Sequence, residues 1–263
     1  MNLELAGSSV LVFGAGRGLG LAIAKAFAAE ACRVILADRM PSVVDVAAEL
    51  TQSGSEAIAA QVDVTDQAAV QQLATVYDPE HLVYAVGIGS GQFGFPFWNV
   101  SPEVWEQVLR VNLVGAAIVA HAFAPKRAAA GCGTFLFLSS VAGQIGSQTD
   151  PPYSAAKAGL INFAQCAAKD LATYQVRVNT LCPGMVQTEL NKSVWQAWAN
   201  QQPEGQRLSY EEWAGAKIRQ VVPLGRWQTP EDIAAMAVFL ASPRAGNITG
   251  QTINVDGGFV MHW

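Results

Sequence analysis

Short runs of apolar residues alternate along the chain with longer segments in which apolar residues recur at helical spacing. The short runs are apolar throughout, which is typical of strands buried on both faces of a parallel sheet. Strands separated by single helices indicate an α/β fold built on a doubly wound sheet of about seven strands. The predicted strands are Ser9–Phe13, Arg33–Asp38, Ala57–Val62, His81–Val86, Thr134–Ser139, Val176–Leu181 and Gln251–Val255.

The helical segments between these strands carry start signals. Asp66 stands at an N-cap position, and Ser101 is followed by Pro102, which favours the first position of a helix. Leu190–Val222, rich in Trp, Gln and Glu, interrupts the alternation. No repeat or second domain is evident, so we expect one domain over residues 1–263. The predicted helices are Leu19–Ala31, Pro41–Ser53, Gln67–Val76, a helix from Ser101 to about Arg127, Ser154–Tyr174 and Pro230–Ala241.

The composition excludes several classes of protein. Apolar residues make up 51% of the chain and charged residues only 14%, so disorder is excluded and extensive burial is expected. The net charge of −5 does not favour nucleic acid as a partner. No predominantly apolar run reaches the ~20 residues of a membrane span, and Val111–Pro125 is too short. Because no basic region precedes the first apolar run, we expect no signal peptide and a cytoplasmic location.

Cysteine and histidine are too scattered for a disulfide framework or a metal site. No two cysteines form a C-x-x-C motif, and no histidines have the spacing of metal ligands. We therefore expect buried thiols, ordinary histidines and no bound metal. The residues concerned are Cys32, Cys132, Cys166, Cys182, His81, His121 and His262.

The first predicted strand leads directly into a glycine-rich loop, GAGRGLG, over residues 14–20. The glycines allow the backbone to approach a pyrophosphate closely, and the following helix N-terminus favours negative charge. Asp38 ends the next strand, where its carboxylate would accept hydrogen bonds from the adenosine ribose. That carboxylate repels the 2′-phosphate of NADP, whereas Arg17 and Arg39 would suit a phosphate. We predict NAD as the cofactor, with NADP as the alternative.

Asp63 and Val64 close the third predicted strand. The carboxyl ends of strands in such a sheet face the ligand crevice, so Asp63 could reach the adenine amino group. The same residue could equally cap the next helix or close a turn, and both interpretations stay open.

Tyr153 and Lys157 are four residues apart at the start of a predicted helix, which places both on one helix face. A phenol with a pKa near 10 is a poor acid–base catalyst at neutral pH, but an adjacent ammonium lowers that pKa. Ser139 and Ser140 end the preceding strand, where a hydroxyl could bind a substrate oxygen. These residues together predict proton transfer beside a bound nucleotide.

The order and spacing of these residues resemble the short-chain dehydrogenase/reductase family over essentially the whole chain. The resemblance implies a Rossmann-type doubly wound parallel sheet in a three-layer α/β/α arrangement. It also implies that residues at about 188–222 form a mobile substrate lid. The matching motifs are Gly14-x-x-x-Gly18-x-Gly20, Asp63, Asn112, Ser140, Tyr153-x-x-x-Lys157 and Pro183-Gly184.

The resemblance implies catalytic roles for four residues. Tyr153 would be the general acid/base, and Lys157 would lower its pKa and bind the nicotinamide ribose. Ser140, rather than Ser139, matches the family serine by its spacing from Tyr153. Asn112 resembles the helix asparagine that holds a water of the proton relay, although the residues alone favour a polar side chain tolerated in a buried helix.

The loop that begins at Pro183 resembles the family loop that meets the nicotinamide, with Val186 acting through its backbone and Thr188 through its hydroxyl. Without the family, Pro183-Gly184 is simply typical of a turn that ends a strand. The residues expected to bind the cofactor are Gly14, Arg17, Gly18, Leu19, Gly20, Asp38, Arg39, Asp63, Val64, Gly87, Tyr153, Lys157, Pro183, Gly184, Val186 and Thr188.

Two positions depart from the family pattern. Phe13 stands where a threonine is usual, and Tyr84-Ala-Val-Gly87 replaces Asn-Asn-Ala-Gly. The missing asparagine normally supports the sheet and the cofactor pocket. Its absence affects the fine geometry of that pocket but not the chemistry, because the catalytic residues are present.

The reaction implied is hydride transfer between NAD(H) and a secondary alcohol or ketone, with secondary metabolites, sugars and polyols as substrate classes. Aromatic residues in Gly89–Trp98 and Leu190–Val222 either favour an apolar or ring-bearing substrate or pack on protein. One alternative is an NADPH-dependent 3-oxoacyl-carrier reductase, which the acidic charge balance disfavours. The other is a catalytically silent nucleotide-binding regulatory protein, which the intact Ser140, Tyr153 and Lys157 disfavour.

We expect a homotetramer, as is usual in the family, and neither a nucleic acid nor a membrane partner. Val111–Ala124 and Ser154–Ala172 offer alanine-rich faces, and Gly257–Trp263 is an apolar end. Such surfaces suit contacts between identical subunits.

Overall fold

The computed structural model of the protein describes residues 2–262, which contain one seven-stranded sheet. Its strands are β1 Ser9–Phe13, β2 Arg33–Asp38, β3 Ala57–Gln61, β4 His81–Tyr84, β5 Gly133–Leu138, β6 Val176–Pro183 and β7 Thr252–Val255. All neighbours pair in parallel, and the order β3-β2-β1-β4-β5-β6-β7 changes direction between β1 and β4. The predicted doubly wound α/β fold is therefore confirmed.

The strands are connected by helices that lie on both sides of the sheet. A π-helical turn over Arg110–Val114 joins the fourth helix to the fifth, so the long predicted helix is continuous but irregular. Met1 and Trp263, the latter in the predicted subunit-contact segment, lie outside the described residues. The helices are α1 Gly18–Ala29, α2 Val43–Gln52, α3 Gln67–Val76, α4 Pro102–Leu109, α5 Gly115–Ala130, α6 Pro151–Ala172, α7 Glu189–Ala199, α8 Tyr210–Val221 and α9 Pro230–Ala241.

The sheet separates two apolar layers, because successive residues of each strand point to opposite faces. In β1, Val10 and Val12 pack with α1, α2 and α9, whereas Leu11 and Phe13 pack with α3, α5 and α6. All four side chains are fully buried. This confirms the three-layer α/β/α arrangement and explains why the strands are apolar at every position.

The helix that carries the predicted catalytic pair starts earlier than the sequence indicates. It begins at Pro151 instead of Ser154, because Asp150 caps it by accepting a hydrogen bond from the backbone N of Tyr153 (3.3 Å). The first turn of α6 therefore includes Tyr153.

Several other boundaries also differ from the prediction, for example those of the fourth strand and the first helix. The fourth strand ends at Tyr84 rather than Val86, so Ala85 and Val86 already belong to the loop that follows the strand. The first helix ends at Ala29 rather than Ala31, because Ala31 adopts a left-handed conformation with φ of 58°.

Among the described residues, Pro102–Ala130 is the one helical stretch long and apolar enough, by length and composition, to cross a membrane. In the fold its buried side packs against α3 and α6 and includes the polar residue Asn112. It thus covers one face of the sheet.

The segment Leu190–Val222 folds largely into α7 and α8, which share a small apolar core of their own. Tyr210 and Trp213 are buried in it, and Trp195 and Trp198 pack against them. The tryptophans of this segment therefore pack on protein, which is one of the two interpretations that the sequence left open.

Candidate active site

A cavity of about 490 Å³ lies at the carboxyl ends of the strands, where the strand order changes direction. Its wall includes the start of α7, with Glu189, Leu190 and Ser193, which lie in the segment predicted as a substrate lid but were not predicted individually. Of the predicted residues, those that line it are Gly14, Arg17, Gly18, Leu19, Gly20, Asp38, Arg39, Asp63, Val64, Gly87, Tyr153, Lys157 and Thr188.

The glycine-rich loop forms a tight cradle between β1 and α1. Gly14 and Gly18 have φ values of 83° and 59°, which favour glycine. A Cβ atom on Gly20 would lie 2.1 Å from the carbonyl oxygen of Gly14. No side chain caps the start of α1, so its first N–H groups remain available. This cradle fits the pyrophosphate of a dinucleotide.

The carboxylate of Asp38 is held at the edge of this cradle by two backbone hydrogen bonds. Oδ2 accepts from the N of Gly16 and Oδ1 from the N of Met40, both at 2.9 Å. A Cβ on Gly16 would lie 2.9 Å from Oδ2, so only glycine allows this approach. Each carboxylate oxygen keeps a lone pair for a ribose hydroxyl.

Asp63 closes a turn and lines the cavity at the same time. Its Oδ1 accepts hydrogen bonds from the backbone N (2.8 Å) and the hydroxyl (2.7 Å) of Thr65, which hold the pKa of the Asp63 carboxyl below its ordinary value. The cap of α3 is Asp66. Oδ2 of Asp63 has no partner among the described residues, which leaves it for a ligand.

Tyr153 and Lys157 lie together in the first turns of α6. Nζ of Lys157 donates to the carbonyl oxygen of Leu138 (2.7 Å) and lies 5.6 Å from the centre of the Tyr153 ring. Burial lowers the pKa of the Lys157 ammonium to about 8. Burial also raises the pKa of the Tyr153 phenol, and the Ser140 hydroxyl opposes that rise. A positive charge from a bound nicotinamide would favour the phenolate further.

The two serines at the end of β5 have different partners. The Ser139 hydroxyl donates to the backbone oxygen of Lys157 (2.8 Å) and is buried. Ser140 lies next to the Tyr153 phenol and accepts a hydrogen bond from the N of Ala142 (3.1 Å). Ser139 lines the cavity and Ser140 does not, so the choice of Ser140 as the catalytic serine stays a prediction.

Asn112 is fully buried behind the cavity wall rather than in it. Its side-chain N donates to the carbonyl oxygens of Ile88 and Val108, both at 2.9 Å, and its Oδ1 accepts from the N of Ile88 (3.2 Å). A Cβ on Gly87 would lie 3.0 Å from Oδ1 of Asn112 and 3.3 Å from Nζ of Lys157. Asn112 therefore holds the chain at Ile88 beside Lys157, and its part in a proton relay stays a prediction.

Tyr84 is the first residue of the segment that replaces Asn-Asn-Ala-Gly, and its side chain contacts a distant part of the chain. Its buried hydroxyl donates to the carbonyl oxygen of Val111 (2.5 Å), inside the π-helical turn that carries Asn112. A Cβ on Gly115 would lie 2.6 Å from that hydroxyl, so the tyrosine depends on a glycine opposite. Burial raises the pKa of the phenol, which keeps it a neutral donor.

The loop after β6 contributes less to the cavity than predicted. Thr188 lines the cavity and caps α7 by accepting a hydrogen bond from the N of Asn191 (3.3 Å). Pro183, Gly184 and Val186 do not line it, because Gly184 bonds to β7 and Val186 pairs with the chain at Gln228. Their contacts with a nicotinamide stay predictions.

The aromatic residues of Gly89–Trp98 do not face this cavity. Phe95, Phe97 and Trp98 line a separate cavity of about 660 Å³ between this loop and the outer side of α6. Within residues 2–262, no group of three or more His, Cys, Asp or Glu side chains could hold a metal ion.

Comparison with known proteins identifies relatives along nearly the whole chain. Residues 14–260 match a family described as enoyl-(acyl carrier protein) reductase. The 3-oxoacyl-[acyl-carrier-protein] reductase of Synechocystis is 36% identical over 259 residues, covering 95% of this chain and 96% of the relative. The L-tagatose-forming galactitol 2-dehydrogenase of Cereibacter sphaeroides is 35% identical, with coverages of 98% and 97%. A gluconate 5-dehydrogenase from Burkholderia cenocepacia, solved with NADP and tartrate, is 28% identical with a TM-score of 0.87, with coverages of 98% and 97%.

Proposed function

Because the chain belongs to the short-chain dehydrogenase/reductase family, we propose that it is an NAD-dependent dehydrogenase of a small sugar or polyol. It is an oxidoreductase that acts on CH–OH groups with a nicotinamide dinucleotide. The observation that carries the choice of NAD is the carboxylate of Asp38, which is fixed beside the phosphate cradle.

The residues that line the cavity on the α7 side favour a polar substrate. Thr188, Glu189 and Ser193 line it, and Leu190 is the apolar exception. Hydroxyl and carboxylate groups of this kind bind the hydroxyls of a sugar or polyol better than an acyl chain. The galactitol and gluconate dehydrogenases among its relatives act on such molecules by name.

The residues of the site suggest how the proton moves. In oxidation, the phenolate of Tyr153 accepts the hydroxyl proton of the alcohol, and the ammonium of Lys157 stabilises the phenolate. The Ser140 hydroxyl donates to the substrate oxygen as charge develops there. When bound, the nicotinamide supplies the hydride acceptor for oxidation and the donor for reduction.

The NAD preference is tested by the variant Asp38→Ser. Loss of the carboxylate removes repulsion of a 2′-phosphate, so the ratio of NADP to NAD affinity should rise about tenfold or more, about 1.4 kcal/mol. Titration of protein fluorescence gives both dissociation constants. Asp66→Ser, at the exposed cap of α3, is the matched control and should leave the ratio unchanged. A wild-type protein that binds NADP as tightly as NAD would contradict the proposal.

A 3-oxoacyl-carrier reductase that uses NADPH is the second candidate. It is favoured by the relative from Synechocystis and by Arg17 and Arg39, which line the nucleotide end of the cavity. Initial rates with polyols, ketoses and a 3-oxoacyl thioester, each with both cofactors and followed by NAD(P)H absorbance, separate the two. Turnover of the thioester alone would favour this candidate.

We also propose that the protein is a cytoplasmic homotetramer. Val114 of the π-helical turn and Ala155 and Ala158 of α6 are exposed, as is Met261 near the end of the described chain. Contacts between copies would cover these apolar groups. A monomer in sedimentation at micromolar concentration would refute the tetramer.

A further inference from the structure

One buried carboxylate joins the turn that carries the catalytic phenol to the loop that follows β4. Asp150 is 8% exposed. Its Oδ1 accepts a hydrogen bond from the N of Tyr153 (3.3 Å), and its Oδ2 accepts one from the N of Ser90 (2.8 Å). The carboxylate therefore connects two segments that are 60 positions apart in the sequence, through one hydrogen bond to each.

The loop approaches this carboxylate closely. A Cβ on Gly89 would lie 2.8 Å from Oδ2 of Asp150, so only a glycine lets the loop pass there, and Gly89 lines the cavity. Five residues further, the N of Gly94 donates to the carbonyl oxygen of Thr149 (2.9 Å). The loop is thus bound to the start of α6 at two points, and Asp150 supplies the one that is charged and nearer the cavity.

The carboxylate also belongs to the electrostatic surroundings of the phenol. Burial raises the pKa of the Tyr153 phenol, and the Ser140 hydroxyl after β5, the Asp150 carboxyl and the Cys182 thiol on β6 also act on it. Nζ of Lys157 on α6 lies 5.6 Å from the centre of the ring. Burial raises the pKa of the Asp150 carboxyl, and the hydrogen bonds from Ser90 and Tyr153 oppose that rise. A negative Asp150 in turn raises the pKa of Tyr153.

We propose that Asp150 is a positioning residue that ties the loop at Gly89 and Ser90 to the helix turn of Tyr153. This tie sets the separation between that loop, which lines the cavity at Gly89, and the phenol. The proposal rests on the acid/base role proposed for Tyr153. A helix cap alone would need only the contact with the N of Tyr153, so the bond to Ser90 is what distinguishes the two roles.

The variant Asp150→Ser separates the tie from the cap. A serine hydroxyl still caps a helix but is too short to reach the N of Ser90. The matched control is Asp66→Ser, because Asp66 caps α3 in the same way, through the N of Ala69 (3.0 Å), away from the cavity. Both variants should lower the thermal midpoint, and Asp150→Ser should lower it more, because it also loses the hydrogen bond from the N of Ser90.

Only Asp150→Ser should change catalysis. We expect KM for the alcohol to rise about tenfold and kcat to fall, with the dissociation constant of the cofactor unchanged, because a hydrogen bond to a charged group is lost. The acid limb of the kcat profile for oxidation should move to lower pH, because removing a negative charge eases ionisation of Tyr153. Equal KM, kcat and pH profiles in the two variants would show that Asp150 acts only as a helix cap.

Amide hydrogen exchange tests the tie without any turnover. Exchange at residues 89–94 should quicken in Asp150→Ser and not in Asp66→Ser. If Asp150→Ser fails to fold, Asp150→Asn serves instead. The carboxylate uses one oxygen for Ser90 and the other for Tyr153, whereas an amide has a single oxygen and cannot replace both contacts. Unchanged exchange in the loop would overturn the proposal, whereas unchanged turnover in Tyr153→Phe would overturn the acid/base role and leave the tie standing.

Discussion

In the half of the cavity beside β1 and β2, a glycine-rich turn forms part of the wall. The turn over residues 14–20 brings backbone amides and a helix N-terminus to the ligand, and its shape follows from the glycines. In the half beside α6 and α7, the wall is held by side chains from distant parts of the chain, such as Asp150 to Ser90. A nucleotide site can therefore be encoded by one local motif, whereas a substrate site here needs several long-range contacts.

The largest effect should come from the variant Tyr153→Phe, which leaves the nucleotide half intact. Loss of the acid/base should lower kcat by about 10²- to 10⁴-fold, while the dissociation constant of NAD stays within about twofold. Steady-state rates and a fluorescence titration measure the two quantities. If both change together, the two halves are not separable and the comparison fails.

The same substitution inside the nucleotide half and outside the cavity gives the next largest contrast. Gly20→Ala places a methyl group 2.1 Å from the Gly14 oxygen, so we expect the cradle to shift and cofactor affinity to fall by more than about tenfold. Gly215→Ala, in α8, meets only Nη1 of Arg219 at 3.4 Å. That variant should keep its cofactor affinity and gain up to about 1 kcal/mol of stability from helix propensity. Equal losses of cofactor affinity in the two variants would contradict the idea that the backbone of the glycine-rich turn shapes the nucleotide half.

The smallest effect near neutral pH is expected in the free energy of unfolding, through a histidine in the sheet that both halves of the cavity share. His81 is buried at the amino end of β4, where Nδ1 contacts the Thr134 hydroxyl (2.9 Å), and burial lowers its pKa to about 4. Above pH 6.5 the imidazole is neutral in both states and contributes no pH dependence. As pH falls from 6.5 toward 4, only the unfolded chain binds the proton, so unfolding becomes easier by up to about 3 kcal/mol.

Denaturant unfolding between pH 4 and pH 7 checks this dependence. The variant His81→Gln should flatten the profile over that range, because glutamine does not titrate. His121→Gln, at an exposed position on α5, is the control and should keep the wild-type slope. A wild-type slope in His81→Gln would show that other groups govern acid unfolding.

The nucleotide half and the reaction class follow from local sequence. The glycine turn after β1 and the Tyr153/Lys157 pair each lie within a few residues, where helix and strand geometry fix their relative positions. Asp38 was predictable for a similar reason, because the ends of neighbouring parallel strands lie side by side.

The rest of the site could not be predicted because it depends on packing between distant segments. The bond from Tyr84 to Val111 spans 27 positions, and the tie from Asp150 spans 60. A local signal for Asp150 did exist, since an acidic residue followed by Pro151 and Pro152 is typical of a helix start. The tryptophans of α7 and α8 were ambiguous, because composition does not reveal whether indoles face a ligand or one another.

The contact between Tyr84 and Gly115 also restricts the order in which this protein can evolve. An alanine at position 115 would place its methyl group 2.6 Å from the tyrosine hydroxyl, so it can enter only after residue 84 has become smaller. Once that alanine is fixed, a return to tyrosine at position 84 is blocked in turn. The two sites can therefore change only in a fixed order, residue 84 first in one direction and residue 115 first in the other. As long as the tyrosine stays, a glycine stays within the helix.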